Sequence, residues 1–210
     1  MIGLGNLGLG LGFQNHAALH ATPKRRENGG PELLLQSEII IKGEKGAEGH
    51  LVRCVAFPLL EIFEHLKRDP KFLFQFAQHP RKFEEFLAGC YEKAGFDEVI
   101  LTPQSGDRGR DVIATKRGFG SIRILEQAKA FSPGRLVSHN DVRAMLGALH
   151  MDDGASKGIV TTTSNFEPGI LKDSSEFAKY MPHRLELKNG EQTLKWINEI
   201  ASRDAAPKTE

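Results

Sequence analysis

Apolar side chains recur at every third or fourth position between residues 80 and 95. This spacing is typical of an amphipathic helix that packs one face on a core. Pro80 favours the first turn of such a helix, and Gly95 favours its C-terminal end. The pattern therefore predicts a helix from Pro80 to just before Gly95, whose buried face holds Phe83, Phe86, Leu87, Cys90, Tyr91 and Ala94.

After this helix the pattern becomes that of extended chain. Residues 99–103, 110–115 and 121–130 are short, largely apolar runs separated by the loop QSGDRG and the turn KRGFG. Runs bounded by turn residues in this way are typical of strands. Residues 157–164 and the segment RLELKNG predict two more strands.

Helices alternate with these strands. Ser138 or Asn140 can cap a helix that reaches His150, because both side chains accept hydrogen bonds from first-turn N–H groups. The amphipathic segment EQTLKWINEIA predicts a last helix. This order is typical of α/β domains. We expect the α/β class, with a mixed central β-sheet flanked by helices on both faces.

Residues 31–79 carry a weaker pattern. Two apolar runs, LLLQSEIIIKG and HLVRCVAF, flank the turn-prone GEKGAEG, which predicts a strand pair or a strand after a short helix. Pro58 predicts the start of one helix, and Pro70, preceded by Asp69 as N-cap, predicts another. We interpret residues 31–79 as a helical and strand elaboration packed on a domain of residues 80–203.

Both ends of the chain have the composition of tails. Residues 1–30 are glycine-rich and then polar, so we expect a flexible extension, with a secretion signal as the weaker alternative. We expect residues 204–210 to be frayed.

Three motifs match by chance. GLGNLG has the glycine spacing of a dinucleotide-binding loop, but no strand fits before it. GASKG has the spacing of a serine nucleophile motif, yet a helix precedes Ser156 and a strand follows it, the reverse of the required order. His16 and His20 lie four residues apart without a third metal ligand.

Composition narrows the class of protein. The chain has 210 residues, of which 40% are hydrophobic and 26% charged, as is normal for a soluble globular domain. Cys54 and Cys90 have no zinc or CxxC spacing. No run approaches the roughly 18 apolar residues of a membrane span, and we expect a cytoplasmic protein without membrane contact. The net charge of +1 excludes a uniformly basic binder but allows a locally basic site.

Polar residues occupy unusual positions in the 110–130 hairpin. Asp111 begins an otherwise apolar strand, and Gln127 and Lys129 end its neighbour. If the hairpin turns about Phe119, cross-strand partners have residue numbers that add up to 238, and Asp111 lies opposite Gln127. Gln127 and Lys129 then share one face. A slip of one residue would pair Asp111 with Glu126 instead.

This grouping suits phosphodiester hydrolysis. A carboxylate and a neighbouring oxygen can hold Mg²⁺, which prefers oxygen ligands and retains several waters. A metal ion polarises the phosphoryl group and orients an attacking water. The Lys129 ammonium can offset the charge that develops on phosphorus. A plain Asp111–Lys129 ion pair is the structural alternative.

These residues resemble a known family. RD at 110–111 followed by QAK at 127–129 resembles the PD-(D/E)xK nuclease signature in its QxK variant. The blocks FEEFLAGCYEKAGF, TPQSGDRGRDVIA, EQAKA, DVRAMLGAL and KGIVTTTSNF are similar, in this order, to the catalytic domain of Mrr-type restriction endonucleases. The resemblance spans residues 80–185.

The resemblance implies a restriction-endonuclease-like fold and a role for each matching residue. Asp111 would be the metal-binding acid, Gln127 would stand where most relatives have Glu or Asp, and Lys129 would be catalytic. Glu84 would be the helix acid that supports the metal, although its neighbour Glu85 competes for that role. Because an amide binds Mg²⁺ less strongly than a carboxylate, Glu126 is an alternative ligand.

The implied function is Mg²⁺-dependent endonucleolytic cleavage of DNA, with Mn²⁺ as an alternative ion, in restriction of foreign or modified DNA. A catalytically inactive DNA-binding or scaffold module, and a nuclease acting on RNA or branched DNA, are the alternatives. Cutting both strands implies a homodimer, and we expect no nucleotide cofactor in this chain. Six basic residues predict phosphate contacts, unless they form an ordinary solvated turn: Arg108, Arg110, Lys116, Arg117, Arg123 and Arg135.

Overall fold

The computed structural model describes residues 31–105 and 109–205. The predicted tail of residues 1–30, with GLGNLG, His16 and His20, lies outside the described residues, as does Arg108. Within the described part of the chain, no helix is both long and apolar enough to span a bilayer.

The described chain contains nine strands, seven of which form one mixed sheet in the order β1-β2-β3-β4-β5-β7-β9. Neighbours from β1 to β5 are antiparallel, whereas β5, β7 and β9 are parallel. Strands β6 and β8 form a separate parallel pair. The strands are β1 Ile40–Lys45, β2 His50–Cys54, β3 Glu98–Leu101, β4 Val112–Gly118, β5 Gly120–Lys129, β6 Leu136–Val137, β7 Lys157–Thr162, β8 Asn165–Phe166 and β9 Leu185–Lys188.

Helices cover both faces of the sheet, as predicted. They are α1 Pro31–Gln36, α2 Ala56–Arg68, α3 Pro80–Lys93, α4 His139–Met151 and α5 Gly190–Ala205, with 3₁₀ helices at Pro70–Gln78 and Ala178–Tyr180. Parallel strands require a crossover connection, and α4 supplies it between β5 and β7. It packs Val142 and Met145 on Ile113 and Leu125, while α3 packs Tyr91 against Val112 and Ile124 on the other face.

The chemistry of turns and caps explains where the helices begin and end. Pro80 occupies the first turn of α3, and Gly95 follows its end with a φ of +86°, a conformation that glycine adopts without strain. Ser138 caps α4, and its side chain accepts a hydrogen bond from the backbone of Asp141. Asp69 caps the helix at Pro70, but that helix is 3₁₀ rather than α.

The structure adds two details to the expected domain organisation. Residues 31–79 contribute β1 and β2 to the central sheet, through the pairing of β2 with β3, so they share the sheet as well as packing on it. Both alternatives for this region are present, because α1 precedes the strand pair. Helix α5 includes Ala205, so the first two residues of the segment expected to be frayed are helical.

Candidate functional site

The β4–β5 hairpin has the predicted register. Val112 pairs with Glu126 and Gly118 with Gly120. The register changes just before β4, because the Asp111 N–H donates to the carbonyl of Glu126, at 2.8 Å, so that both Asp111 and Val112 lie against Glu126. The Asp111 carboxylate accepts a hydrogen bond from the Ala128 N–H at 2.7 Å. These two bonds flank Gln127, so the carboxylate lies at the end of β5.

Gln127 contributes a side-chain oxygen for which the described residues provide no hydrogen-bond donor. Its side chain is buried, with 7% exposed, and Oε1 accepts no hydrogen bond from the described residues. On its other side, a Cβ placed on Gly109 would lie 3.7 Å from Gln127 Nε2, and Gly109 has a φ of +77° that favours glycine. Because buried polar atoms usually have a partner, an orphaned amide oxygen fits a bound cation or water.

Lys129 lies on the same face of β5 as Gln127. Its Nζ is 2.9 Å from Oδ1 of Asp141, in the first turn of α4. Burial opposes ionisation of Asp141, but hydrogen bonds from Lys129 and Ser138 outweigh it and lower the pKa of that carboxyl. Asp141 was not identified from the sequence as a site residue, although its spacing from Ser138 is that of a capping box.

The two acids of α3 have different surroundings. Glu84 binds Arg81 at 2.5 Å, and Arg81 also donates to the Thr102 carbonyl at 2.9 Å. Thr102 in turn donates its N–H to the Asp111 carbonyl at 3.0 Å. Glu85 instead pairs with two lysines, Lys42 at 3.4 Å and Lys82 at 2.9 Å. Of the two acids, Glu84 is therefore the one connected to Asp111.

Glu126 lies on the opposite face of the sheet. The Tyr91 hydroxyl donates to its Oε2 at 2.6 Å, and its side chain is fully buried. Loss of hydration in this core is the main cause that raises the pKa of Glu126 to about 7, although Lys188 opposes the shift. Since neighbouring strand residues point to opposite faces, Glu126 lies on the other face of β5 from Gln127 and Lys129, and the choice of Gln127 over Glu126 as metal ligand stays a prediction.

Five of the predicted phosphate-binding residues are described by the structure. Arg110 and Arg123 form a first group, Lys116 and Arg117 form a second, and Arg135 lies apart from both. Arg110 and Arg123 form ion pairs with Glu48 and Asp152. Arg135 stacks its guanidinium over the Phe131 ring, 4.1 Å from the ring centroid.

The second group lies at the far end of the hairpin. Lys116 donates to the Gly95 carbonyl, and Arg117 pairs with Glu98 at 2.5 Å and donates its N–H to Asp97. At about 3.3 Å per strand residue, these side chains lie on the order of 15–20 Å from Asp111. Phosphate binding at both groups and at Arg135 stays a prediction.

The donor set fits a hard cation rather than zinc. Within residues 31–105 and 109–205, no three His, Cys, Asp or Glu side chains gather as a metal centre. Asp111 offers a carboxylate and Gln127 an amide oxygen, with Glu84 connected through Arg81 and Thr102. Mg²⁺ binds through one or two carboxylates and keeps several waters, so it suits such a sparse oxygen site.

Comparison with known proteins gives a family. The family model Mrr_cat, described as restriction endonuclease, matches residues 77–197. The match includes the RD and QAK segments, so the resemblance found in the sequence is confirmed. No curated protein matches the chain.

Two solved structures are similar to the chain at low identity. The MspJI restriction endonuclease in complex with a 27-mer oligonucleotide has 15% identity and a TM-score of 0.38, over 70% of this chain and 34% of that one. The DNA modification-dependent restriction endonuclease AspBHI has 16% identity and a TM-score of 0.40, over 69% of this chain and 39% of that one. The chain thus corresponds to less than half the length of either protein.

Proposed function

The chain belongs to the Mrr_cat family of restriction endonucleases, and from that premise we propose that it is a Mg²⁺-dependent endonuclease that hydrolyses DNA phosphodiester bonds. One observation carries the proposal. At one end of β5 lie the Asp111 carboxylate, the Lys129 ammonium and the Gln127 oxygen, which has no hydrogen-bond partner among the described residues. Oxygen ligands and a nearby cation are the groups that phosphodiester hydrolysis requires.

Asp111 and Gln127 would hold the metal ion, and Glu84 would add negative charge beside them. When bound, Mg²⁺ would supply Lewis acidity toward the phosphoryl oxygens and a more acidic bound water. The Ala128 N–H holds one oxygen of Asp111 in place, at 2.7 Å. Because Gln127 is neutral, we expect weaker Mg²⁺ binding than at a site with two carboxylates.

Lys129 would act on the phosphate. Its ammonium donates hydrogen bonds, so it can orient the attacking water and offset negative charge on a non-bridging phosphate oxygen. The Asp141 carboxylate accepts a hydrogen bond from this ammonium and so fixes its position. Ser138 holds the same carboxylate through hydrogen bonds of 3.0 Å from its N–H and 2.7 Å from its hydroxyl. The pair therefore gives the cation a defined position before substrate binds.

The biological role that fits this chemistry is restriction of foreign or modified DNA. Cleavage of both strands of a duplex needs two active sites, so we propose that the chain works as a symmetric homodimer. Sedimentation in the presence of a short duplex tests this part of the proposal. A species of one chain per cut duplex would contradict it.

A cleavage assay on supercoiled plasmid tests the proposed reaction. Methylated and unmethylated plasmids are incubated with Mg²⁺, with Mn²⁺ or with a chelator, using the unchanged chain and Lys129→Ala. We expect metal-dependent nicking and linearisation, lost in the chelator and in Lys129→Ala. Lys157→Ala is the matched control, because Lys157 is also a strand lysine with a carboxylate partner, Glu186 at 2.8 Å, and similar exposure, 27% against 22% for Lys129.

The same assay separates the alternatives. Intact plasmid after long incubation, together with DNA binding that does not change in Lys129→Ala, would support an inactive binding module instead. Faster cleavage of RNA or of branched DNA than of duplex plasmid would reassign the substrate. Cleavage by Lys129→Ala at the rate of the unchanged chain would contradict the proposed mechanism.

A further inference from the structure

Four charged side chains form a cluster that includes Arg110, the residue that precedes Asp111 in the sequence. We call this cluster the clamp: Glu48, Arg110, Arg123 and Asp152. Arg110 binds Asp152 at 2.5 Å and Glu48 at 3.3 Å. Arg123 binds the same two carboxylates, at 3.0 Å and 2.6 Å. All four side chains are partly buried. The clamp therefore has two positive and two negative charges in contact.

The clamp joins four separate parts of the fold. Glu48 lies in the turn between β1 and β2, Arg123 in β5, and Asp152 just after α4. Arg110 comes from the segment before β4. Partly buried charges depend on their partners, and removal of one partner leaves the others poorly compensated. The position of Arg110 is thus tied to three elements that do not adjoin it in sequence.

Arg110 connects the clamp to the backbone of Asp111, the next residue in the chain. Because β4 begins at Val112, Asp111 lies outside the regular strand. Thr102 holds this segment from one side, since its hydroxyl donates to the Arg110 carbonyl at 2.7 Å and its N–H donates to the Asp111 carbonyl at 3.0 Å. On the other side, the Asp111 N–H donates to Glu126 at 2.8 Å. The Arg110 side chain adds a third attachment to this short segment.

We propose that Arg110 is a positioning residue for Asp111, held by Asp152 and Glu48, and not a phosphate ligand. The inference rests on the proposed function, because it takes Asp111 as the metal-binding acid. Two observations support it. The carboxylates already neutralise both arginines, and a phosphate approaching Arg110 would meet Asp152 and Glu48 as well. Groups that orient a metal ligand typically change metal affinity or activity by 10–100-fold when they are removed.

The test compares Arg110→Gln with Arg143→Gln. Arg143 is the matched control, because it forms an exposed ion pair with Glu176 at 2.5 Å and belongs to neither the clamp nor the proposed site. Mn²⁺ binding is measured by electron paramagnetic resonance without DNA, and cleavage kinetics are measured over a range of salt. We expect Arg110→Gln to bind Mn²⁺ about tenfold more weakly and to lower kcat, with KM for duplex and its salt dependence unchanged.

A phosphate ligand would give the opposite result. Removing a phosphate contact would raise KM and reduce the slope of log affinity against log salt by about 0.9, while Mn²⁺ affinity stayed that of Arg143→Gln. That result would overturn the inference.

Asp152→Asn gives a second, independent arm if Arg110→Gln does not fold. Positioning predicts weaker Mn²⁺ binding in Asp152→Asn, because Arg110 loses its 2.5 Å partner. Loss of a carboxylate beside a phosphate-binding arginine predicts tighter DNA binding with unchanged Mn²⁺ affinity, which would overturn the inference. Arg110→Lys keeps the charge and should restore part of the Mn²⁺ affinity.

The two proposals fail in different ways. Weakened Mn²⁺ binding in a chain that cuts no DNA would overturn the proposed reaction and leave the positioning role in place. Normal cleavage and normal Mn²⁺ binding by Arg110→Gln would overturn the positioning role and leave the proposed reaction in place. Absence of Mn²⁺ binding by the unchanged chain would overturn both.

Discussion

Asp111 and Glu126 are two carboxylates whose backbones are hydrogen-bonded to each other, at 2.8 Å, yet their side chains have opposite surroundings. The Asp111 carboxylate accepts a hydrogen bond from the N–H of Ala128, which lies between Gln127 and Lys129 at the end of β5. The Glu126 carboxyl is enclosed on the other face, beside Tyr91, with a pKa of about 7. The surroundings of the side chain, rather than the residue type, distinguish the proposed metal ligand from the acid of the core.

Asp111→Asn should have the largest effect of the substitutions considered, and it should act on the rate of DNA cleavage. Asparagine has the same size but no charge, so we expect single-turnover cleavage to fall by about 10³-fold, equivalent to roughly 4 kcal/mol in the barrier. The melting temperature should change little. Asp173→Asn, an exposed aspartate elsewhere, is the control. Undiminished cleavage by Asp111→Asn would remove the distinction between the two faces.

Glu126→Ala should act on stability instead. The substitution leaves the Tyr91 hydroxyl without its partner and opens a cavity in the core, so we expect a loss of about 2–4 kcal/mol in the free energy of unfolding. Urea denaturation measures it. Tyr91→Phe, which removes the hydroxyl but no volume, should cost less. A variant as stable as the unchanged chain would show that Glu126 is not a core group.

The free energy of unfolding should depend on pH through Glu126. The pKa of Glu126 is raised from 4.5 to about 7 in the folded state, so the folded chain holds the proton more tightly than the unfolded chain does. The resulting stabilisation is complete below pH 4.5 and is lost as pH rises toward 7. Glu126→Gln cannot ionise, so its stability relative to the unchanged chain should rise by on the order of 1–3 kcal/mol between pH 5 and pH 8.

Denaturation at the two pH values, on Glu126→Gln and the unchanged chain in parallel, measures this difference. A constant difference between the two chains would mean that Glu126 ionises normally in the fold.

Asp141→Asn should have the smallest effect of the four. Asparagine can still accept a hydrogen bond from Lys129, but it loses the charge that holds the ammonium at 2.9 Å. We expect a reduction in kcat of about tenfold, or roughly 1.4 kcal/mol, with a smaller change in KM. Asp173→Asn again serves as control. A change confined to KM would indicate that Asp141 affects DNA binding rather than Lys129.

Much of the central region was predictable from its local pattern. The glycines on either side of Phe119 permit a tight turn, and the apolar alternation on both strands allows one register that buries Ile113 and Leu125 together. That register extends to Val112, which pairs with Glu126, whereas the expected pairing of Asp111 with Gln127 gives way to a hydrogen bond from Asp111 to the Glu126 carbonyl. By contrast, nothing in the apolar runs of residues 31–79 indicates that β2 joins the central sheet through β3.

The residue types and spacing of the chain determined the α/β class, the hairpin register and the family to which residues 77–197 belong, because strand alternation and turn chemistry act between near neighbours. Only the tertiary structure decided that Asp141 holds Lys129, that Glu84 rather than Glu85 connects to Asp111, and that Asp152 and Glu48 hold Arg110. Those partners are up to 62 residues apart, and side chains on separate elements meet only where the packing of helices on the sheet places them.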